Sequence, residues 1–267
     1  MHDLGDVVND IEDCNVSEFD SIYDIPKFNI LYDSFYRNHY DYNSQAEYVI
    51  ECSKYATPGT IIEGACGTGR GIESLLDSQR DYSYSNIDRI LGVDESLNML
   101  QLANDIVSDD VVTFVQDRIE YFSTPHDVTL VYILGNSFAH ISPMYRVELF
   151  KNVYDMLSSG GVFTFSYVDS EKDEMFMGGD ISDTYETDDY VIKRRMEILE
   201  DNIGYNIDMQ YSIYSNETSD RTNIVCNTKM NTHKSHSMLN ELVSIGFADV
   251  ESLNVDGLRH SVIKCIK

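Results

Sequence analysis

Ile61-Ile62-Glu63-Gly64-Ala65-Cys66-Gly67-Thr68-Gly69-Arg70-Gly71 is the stretch that decides the fold. Its apolar start reads as the end of a buried strand, which breaks at Glu63-Gly64 into a glycine-dense turn. Past the turn, Gly71-Ile72-Glu73-Ser74-Leu75-Leu76 carries the apolar spacing of a helix. Alternating glycines let the backbone turn tightly and approach a ligand where a Cβ would collide. The helix N-terminus adds free amides and a partial positive charge. The G-x-G-x-x-G fingerprint of dinucleotide folds is absent, and so is the Lys-Ser/Thr pair of a phosphate loop.

Working outward, a helix is predicted from Asn43 to Tyr55, stopped by Pro58-Gly59. Asp88–Asp94 reads as a second strand ending in an acid, and Ser96 caps the helix that Leu97 begins. Val111–Gln116 is a third strand, followed by Asp117-Arg118. The fourth, from Val128 to Leu134, runs into Gly135-Asn136-Ser137-Phe138-Ala139-His140, polar groups at a strand's carboxyl end, where open α/β sheets bind ligands. A helix from Met144 to Leu157 is expected to cap at Ser158-Ser159-Gly160-Gly161, before a fifth strand over Val162–Val168.

Residues 170–182 are polar and read as a mobile loop. From Tyr190 the pattern alternates through Val191–Ile198, Tyr205–Tyr214 and Thr222–Met230, the signature of antiparallel strands. Arg194 and Arg195 are scarce cations there, read either as a cross-strand ion pair or as a contact for an acidic substrate. His233-Lys234-Ser235-His236 lacks metal-ligand spacing and reads as a helix entry. A helix over Ser237–Ile245, a stop at Gly246-Phe247 and a hairpin of Ala248–Leu253 with His260–Ile266 close the chain. Near the start, Tyr32-Asp33-Ser34-Phe35-Tyr36 and Asp41-Tyr42 crowd aromatic rings at helical spacing, as one buried face or as a ligand contact.

These motifs resemble class I S-adenosylmethionine-dependent methyltransferases. E-G-A-C-G-T-G is similar to the family's first motif, and L-G-N-S-F-A-H to the fourth motif of the glycine/sarcosine N-methyltransferases. The Y-D-x-F-Y and D-Y elements resemble the opening of amino-sugar N-methyltransferases. The fold this implies is α/β: a Rossmann-like sheet, mostly parallel with an antiparallel last strand, bearing an inserted antiparallel β lid. The implied domains are a flexible acidic leader (1–27), a core (28–170 and 231–267) and a substrate lid (171–230).

The resemblance implies S-adenosyl-L-methionine as cofactor, held by Glu63, Gly64, Ala65, Gly67, Gly69, Asp94, Glu95, Met99, Asp117, Arg118, Leu134 and Tyr42. In it, Asp94 takes the ribose hydroxyls and Met99 covers the adenine. Catalytic roles fall to His140, Asn136 and Tyr36, and acceptor binding to Tyr32, Tyr36, Asn136, His140 and Arg194. The implied reaction is N-methylation of a small amine, an amino acid such as glycine or an amino sugar. O-methylation of a hydroxyl and a non-catalytic cofactor-binding module stay open as alternatives. One departure stands out. The glycine/sarcosine enzymes carry an H-R-N-Y-D run after the fifth strand whose Arg binds the substrate carboxylate, whereas this chain reads Tyr167-Val168-Asp169-Ser170-Glu171.

Composition bounds the rest. The chain has 267 residues, 42% of them hydrophobic, which excludes general disorder. No apolar run reaches the roughly 20 residues of a membrane span, and Met1–Asp6 carries no basic signal-peptide segment. Five scattered cysteines without C-x-x-C predict reduced thiols and a cytoplasmic setting. With 46 acidic against 19 basic residues, the net charge is −27. Such a polyanion repels nucleic acid and anionic lipid, so the expected partner is a small molecule and the expected state a monomer or homodimer. An acidic surface of this kind also suits a salty cytoplasm, where methylated amines serve as compatible solutes.

Overall fold

The structure, a computed structural model, describes residues 21–37, 40–54, 58–82, 87–169, 181–186, 190–200, 205–216 and 221–267. Most of the predicted leader and of the 170–182 loop lies outside them. The chain divides into two compact units. The larger comprises Tyr40–Glu171 and Thr232–Lys267, the smaller Met1–His39 and Lys172–Asn231.

The larger unit is built on a seven-stranded sheet. Its strands are β1 (Gly59–Gly64), β2 (Ile87–Asp94), β3 (Val112–Gln116), β4 (Val128–Ile133), β5 (Leu157–Tyr167) and, near the chain's end, two that pair with each other and are taken up below. Every residue of β1 and β4 is buried, the polar Thr60, Glu63 and Thr129 along with the apolar ones, as in strands covered on both faces. Parallel ladders join β4 to β1, β1 to β2, β2 to β3 and β4 to β5. Since the chain moves from β1 out to β3 and then returns to β4 on β1's other side, β1 and β4 flank the sheet's switch point. Ligand crevices open at the carboxyl ends of such strands.

Helices cover both faces. Ile61, Ile90, Leu130 and Tyr132 face the cluster that holds Ala46, Val49 and Ile50 of α2 (Tyr42–Ser53), Ile72 and Leu75 of α3 (Arg70–Tyr82) and Leu100 of α4 (Leu97–Ile106). Their chain neighbours Ile62, Leu91, Val131 and Ile133 point the other way. They pack with Leu149, Phe150 and Val153 of α5 (Pro143–Met156) and Met238 and Leu242 of α6 (Ser235–Ile245). The period of two in the strands thus divides one apolar run between two cores.

At the far edge, β10 (Ala248–Leu253) and β11 (Ser261–Ile266) form the predicted hairpin, with β11 antiparallel to β5. The observed order β10-β11-β5-β4-β1-β2-β3 gives the mostly parallel sheet with an antiparallel last strand expected from the sequence. One boundary differs. Ser158–Gly161 does not cap α5. The helix stops at Met156, Leu157 is already extended, and β5 begins there. The glycines instead meet the chain's end: Gly160 N–H donates to the Lys267 carbonyl (2.7 Å) and Lys267 N–H to that of Gly161 (2.9 Å).

The smaller unit holds a four-stranded antiparallel sheet in the order β6 (Ile181–Glu186), β7 (Tyr190–Glu200), β8 (Tyr205–Ser215) and β9 (Arg221–Met230). Strand β6 overlaps the expected 170–182 loop only at Ile181 and Ser182 and otherwise fills a stretch given no prediction, and its exposure alternates residue by residue. Helix α1 (Phe28–Tyr36) packs on this sheet: the Phe28 and Phe35 rings lie 5.6 and 6.0 Å from Tyr211. Residues 28–39, which the sequence assigned to the core, therefore group with the inserted strands, since their rings find partners there. No helix among the described residues is long and apolar enough to cross a membrane.

Gly92 shows how tightly the sheet's larger face is set. It pairs with Phe114 across β2 and β3, and a Cβ there would meet that ring at 2.6 Å. We predict that Gly92→Ala costs ~1–3 kcal/mol through this overlap, read as a lowered melting temperature, and that adding Phe114→Leu recovers most of it. An unchanged melting temperature for the single variant would contradict the contact.

Candidate active site

The glycine turn after β1 takes left-handed backbone at Ala65 (φ 53°), Gly67 (φ 54°) and Gly69 (φ 76°). Each is conformation that glycine adopts without strain, and Ala65 holds it against its preference. The turn is anchored to β2. Cys66 N–H donates to the Val93 carbonyl (3.1 Å), and Gly67 N–H to Oδ2 of Asp94 (2.8 Å). The other oxygen of Asp94 accepts from Ser96 N–H (2.9 Å), and Ser96 Oγ caps α4 by accepting from Met99 N–H (3.4 Å). Asp117 N–H reaches the Asp94 carbonyl (3.1 Å). One acidic residue thus ties together the ends of β1, β2 and β3. A Cβ at Gly67 would touch nothing within 4 Å, so that side of the turn is open, whereas Cβ atoms at Gly64 and Gly69 would press on Ile119 and Phe114.

Glu63 is buried at the head of the turn, opposite Tyr132 in the β1–β4 register. Burial pushes its carboxyl up to about 8, while the nearness of the Tyr132 hydroxyl and the Ile72 amide favours the charged form and the Asp94 charge opposes it. Gly71 is the counterpart of that placement: a Cβ there would lie 2.3 Å from Glu63 Oε1. The carboxyl therefore sits against the first turn of α3, where a negative charge meets the helix amides. Sequence reasoning missed Gly71, although its position two residues past the glycine triplet was in view.

At the end of β4, Gly135 and Asn136 both take positive φ (66° and 67°), and a short 3-10 turn follows over Ser137–His140. Asn136 N–H donates to Ser166 Oγ of β5 (3.0 Å), which pins the turn to the neighbouring strand. The Asn136 side chain is buried, and its Oδ1 has no hydrogen-bond partner. A buried acceptor left open costs free energy, so it marks a place where a donor is expected. His140 is exposed at the end of the same turn, and Leu134 is buried before it.

The structure thus gathers Glu63, Gly64, Ala65, Gly67, Gly69, Asp94, Leu134, Asn136 and His140 at the carboxyl ends of β1, β2 and β4. Glu95 follows β2, Met99 lies in the first turn of α4, and Asp117 and Arg118 follow β3. Arg118 pairs with Glu120 (2.6 Å) and rests over the Tyr121 and Tyr145 rings at 5.7 and 5.4 Å. Tyr42 opens α2 with its ring 6.2 Å from Tyr40. Tyr32, Tyr36 and Arg194 belong to the smaller unit. The Tyr32 and Tyr36 rings are 4.3 Å apart, and Arg194 bonds both Asp183, its cross-strand partner, and the Tyr36 hydroxyl. Arg194 also stacks over Phe35 at 4.8 Å, within the same unit.

Comparison with known proteins gives this geometry a family. Residues 61–161 match the family described as a methyltransferase domain. Over those residues the chain is similar to a methyltransferase domain. No curated protein matches by sequence. Among solved structures, the chain is similar to DesVI of Streptomyces venezuelae, with a TM-score of 0.74 and 16% identity over 88% of this chain and 96% of that one. It is similar also to CalS10, an amino pentose methyltransferase from Micromonospora echinaspora bound to S-adenosylmethionine (TM-score 0.72, 13% identity, 88% and 96% covered). A third is the sugar N-methyltransferase KedS8 of a Streptoalloteichus species (0.69, 19%, 88% and 92%). At these identities the likeness is one of fold, the class I methyltransferase fold, and the matched domain runs from β1 through the switch point to the start of β5.

Glu63 supplies a test of the methyltransferase domain's electrostatics. Its folded pKa of about 8 lies above the ordinary 4.5. Stability from keeping it neutral is therefore full below pH 4.5 and is lost as pH rises toward 8. Glu63→Gln, neutral throughout, should melt progressively higher than the unaltered protein as pH climbs from 5 to 8. A gap that stays constant across that range would contradict the assignment.

Proposed function

We propose that this protein transfers a methyl group from S-adenosylmethionine to the nitrogen of a small amine, and that the acceptor is an amino sugar. The cofactor supplies a methyl already activated by its sulfonium centre. The residues of the turn fit such a group. Gly67 leaves its side of the turn open, Asp94 offers an anchored carboxylate to hydroxyl donors, and α3 begins beside them. What remains for the chain's own residues is to hold an acceptor lone pair in line and to exclude water.

The observation that carries the amine reading is the open Asn136 Oδ1. An amine N–H that donates to this buried oxygen is oriented by it and keeps its lone pair free for the methyl. An ammonium has no lone pair, so a proton must leave first. His140, exposed on the same turn, takes that proton and passes it to water. The preference for a sugar rests on Asp169. It is buried right after β5, where the glycine-type enzymes carry a carboxylate-binding arginine. An acid in that position repels an acceptor carboxylate and disfavours glycine.

The test is transfer of labelled methyl from S-adenosylmethionine to amino sugars, their hydroxyl-only analogues and glycine. We expect label on the amino sugars alone. Label on a hydroxyl analogue instead would overturn the amine reading, and label on glycine the sugar reading. His140→Ala should lower turnover by roughly 10²-fold at neutral pH, with a loss that shrinks at high pH as the amine arrives deprotonated. An equal loss at every pH would remove His140 as the proton acceptor.

A further inference from the structure

Two features that the motifs do not cover lie behind the Asn136–His140 turn. The first is a charged cluster, buried at Arg146 and His233 and half-buried at Glu241. Arg146 of α5 forks onto Glu241 of α6, Nε to Oε2 at 2.8 Å and an NH2 nitrogen to Oε1 at 2.5 Å, and Ser237 Oγ donates to the same carboxylate at 3.0 Å. The remaining Arg146 nitrogen reaches Nδ1 of His233 at 3.0 Å. A guanidinium can only donate, so Nδ1 accepts and the ring's one proton stands on Nε2. Glu241 holds the arginine, the arginine holds the histidine, and the imidazole is fixed as one neutral tautomer.

The second feature is where that histidine sits. His233 is 1% exposed. Its backbone N–H donates to the Val168 carbonyl (3.1 Å), and it bridges to Asp169, so it is sewn to the end of β5. Its ring lies 4.9 Å from that of Phe138, the buried centre of the 3-10 turn, and Phe138 in turn stacks on Phe165 of β5 at 4.2 Å. The protonated Nε2 is buried and faces the Phe138 backbone without a closed hydrogen bond. Phe138 O already accepts from Ile141 N–H (3.1 Å), the bond that closes the turn after His140.

We propose that His233 is a positioning residue for the methyl-transfer site: with its tautomer set by Arg146 and Glu241, it presents Nε2–H and its ring to Phe138 and so fixes the turn that carries Asn136 and His140. The inference rests on the reading of that turn as the acceptor site. Phe138 anchors the turn in the core, against the Phe150, Phe165 and His233 rings. Four residues of 3-10 helix contribute few bonds, and two consecutive left-handed residues precede them. Ser166 pins its start through the Asn136 amide, and His233 pins its middle. An arginine and a histidine are costly to bury unless they are bonded, and here Arg146 bonds Glu241, Ser237 and His233. A locked catalytic turn gives the cluster its use.

The experiment compares the unaltered protein with His233→Phe, which keeps the ring and removes both nitrogens, and His233→Gln, which returns a donor near Nε2. Backbone hydrogen exchange is followed at Ser137, Ala139 and Ile141, and at β1 and β4 amides as an internal reference. We expect His233→Phe to speed exchange at the turn by about tenfold or more with the reference amides unchanged, and His233→Gln to restore most of the protection. Methyl-transfer turnover should fall in the Phe variant while S-adenosylhomocysteine affinity holds. Faster exchange everywhere, or none at the turn, would overturn the proposal. Should His233→Phe fail to fold, Glu241→Gln releases Arg146 without touching the histidine and is expected to give the same local pattern in smaller measure. A wild-type protein that binds no S-adenosylhomocysteine would overturn the methyltransferase reading, whatever the exchange at the turn shows.

Discussion

The Asp94 carboxylate, shared between Gly67 N–H and Ser96 N–H, is the contact on which the site's geometry depends. Charge-assisted bonds to backbone amides are the stronger kind, and here they join a turn that would otherwise be loose to a helix cap that would otherwise be separate. Because the Asp94 carbonyl also receives Asp117 N–H, the carboxyl ends of three neighbouring strands move as one. The glycines are what make this contact reachable. Left-handed backbone at Ala65, Gly67 and Gly69 brings the amide of Gly67 round to face β2.

A carboxylate so placed has an electrostatic consequence for its neighbours. Glu63 is fully buried near the same charge, and the two cannot both ionise cheaply in a low-dielectric setting. The structure resolves this by keeping Glu63 near neutrality and laying it against α3, in space that only a glycine at 71 leaves. Farther along the sheet, the trio of Arg146, Glu241 and His233 takes the other course and compensates its charges internally. The two solutions sit under the two halves of the switch point, one beneath the glycine turn and one behind the turn after β4.

The sheet was legible because its evidence is local. β4 is a largely apolar run and β1 has an apolar pair at its centre, the glycine turn announces the strand-to-helix change, and Asp94 and Asn136 stand at strand ends that the hydropathy marks. What stayed hidden is what distant residues decide together. Arg146 lies 95 positions from Glu241 and 87 from His233, so no spacing rule joins them, and His233 read as a plain helix entry. The partnership of α1 with the four-stranded sheet depends on Phe28 and Phe35 meeting Tyr211, about two-thirds of the chain away. Ser158–Gly161 misled for a different reason. A glycine pair after a helix looks like a cap, and only the bonds to Lys267 reveal a strand. Arg194 reads from the sequence as an ion pair or a substrate contact, and in the structure it bonds Asp183 and Tyr36 within its own unit.

The central claim is that the Asp94-anchored turn is a cofactor cradle, and calorimetric titration with S-adenosylmethionine tests it most directly. The account predicts saturable one-site binding to the unaltered protein, weakened by roughly tenfold to a hundredfold in Asp94→Ala, as the lost charged acceptor implies. Binding of equal strength in both proteins, or none in either, would contradict it.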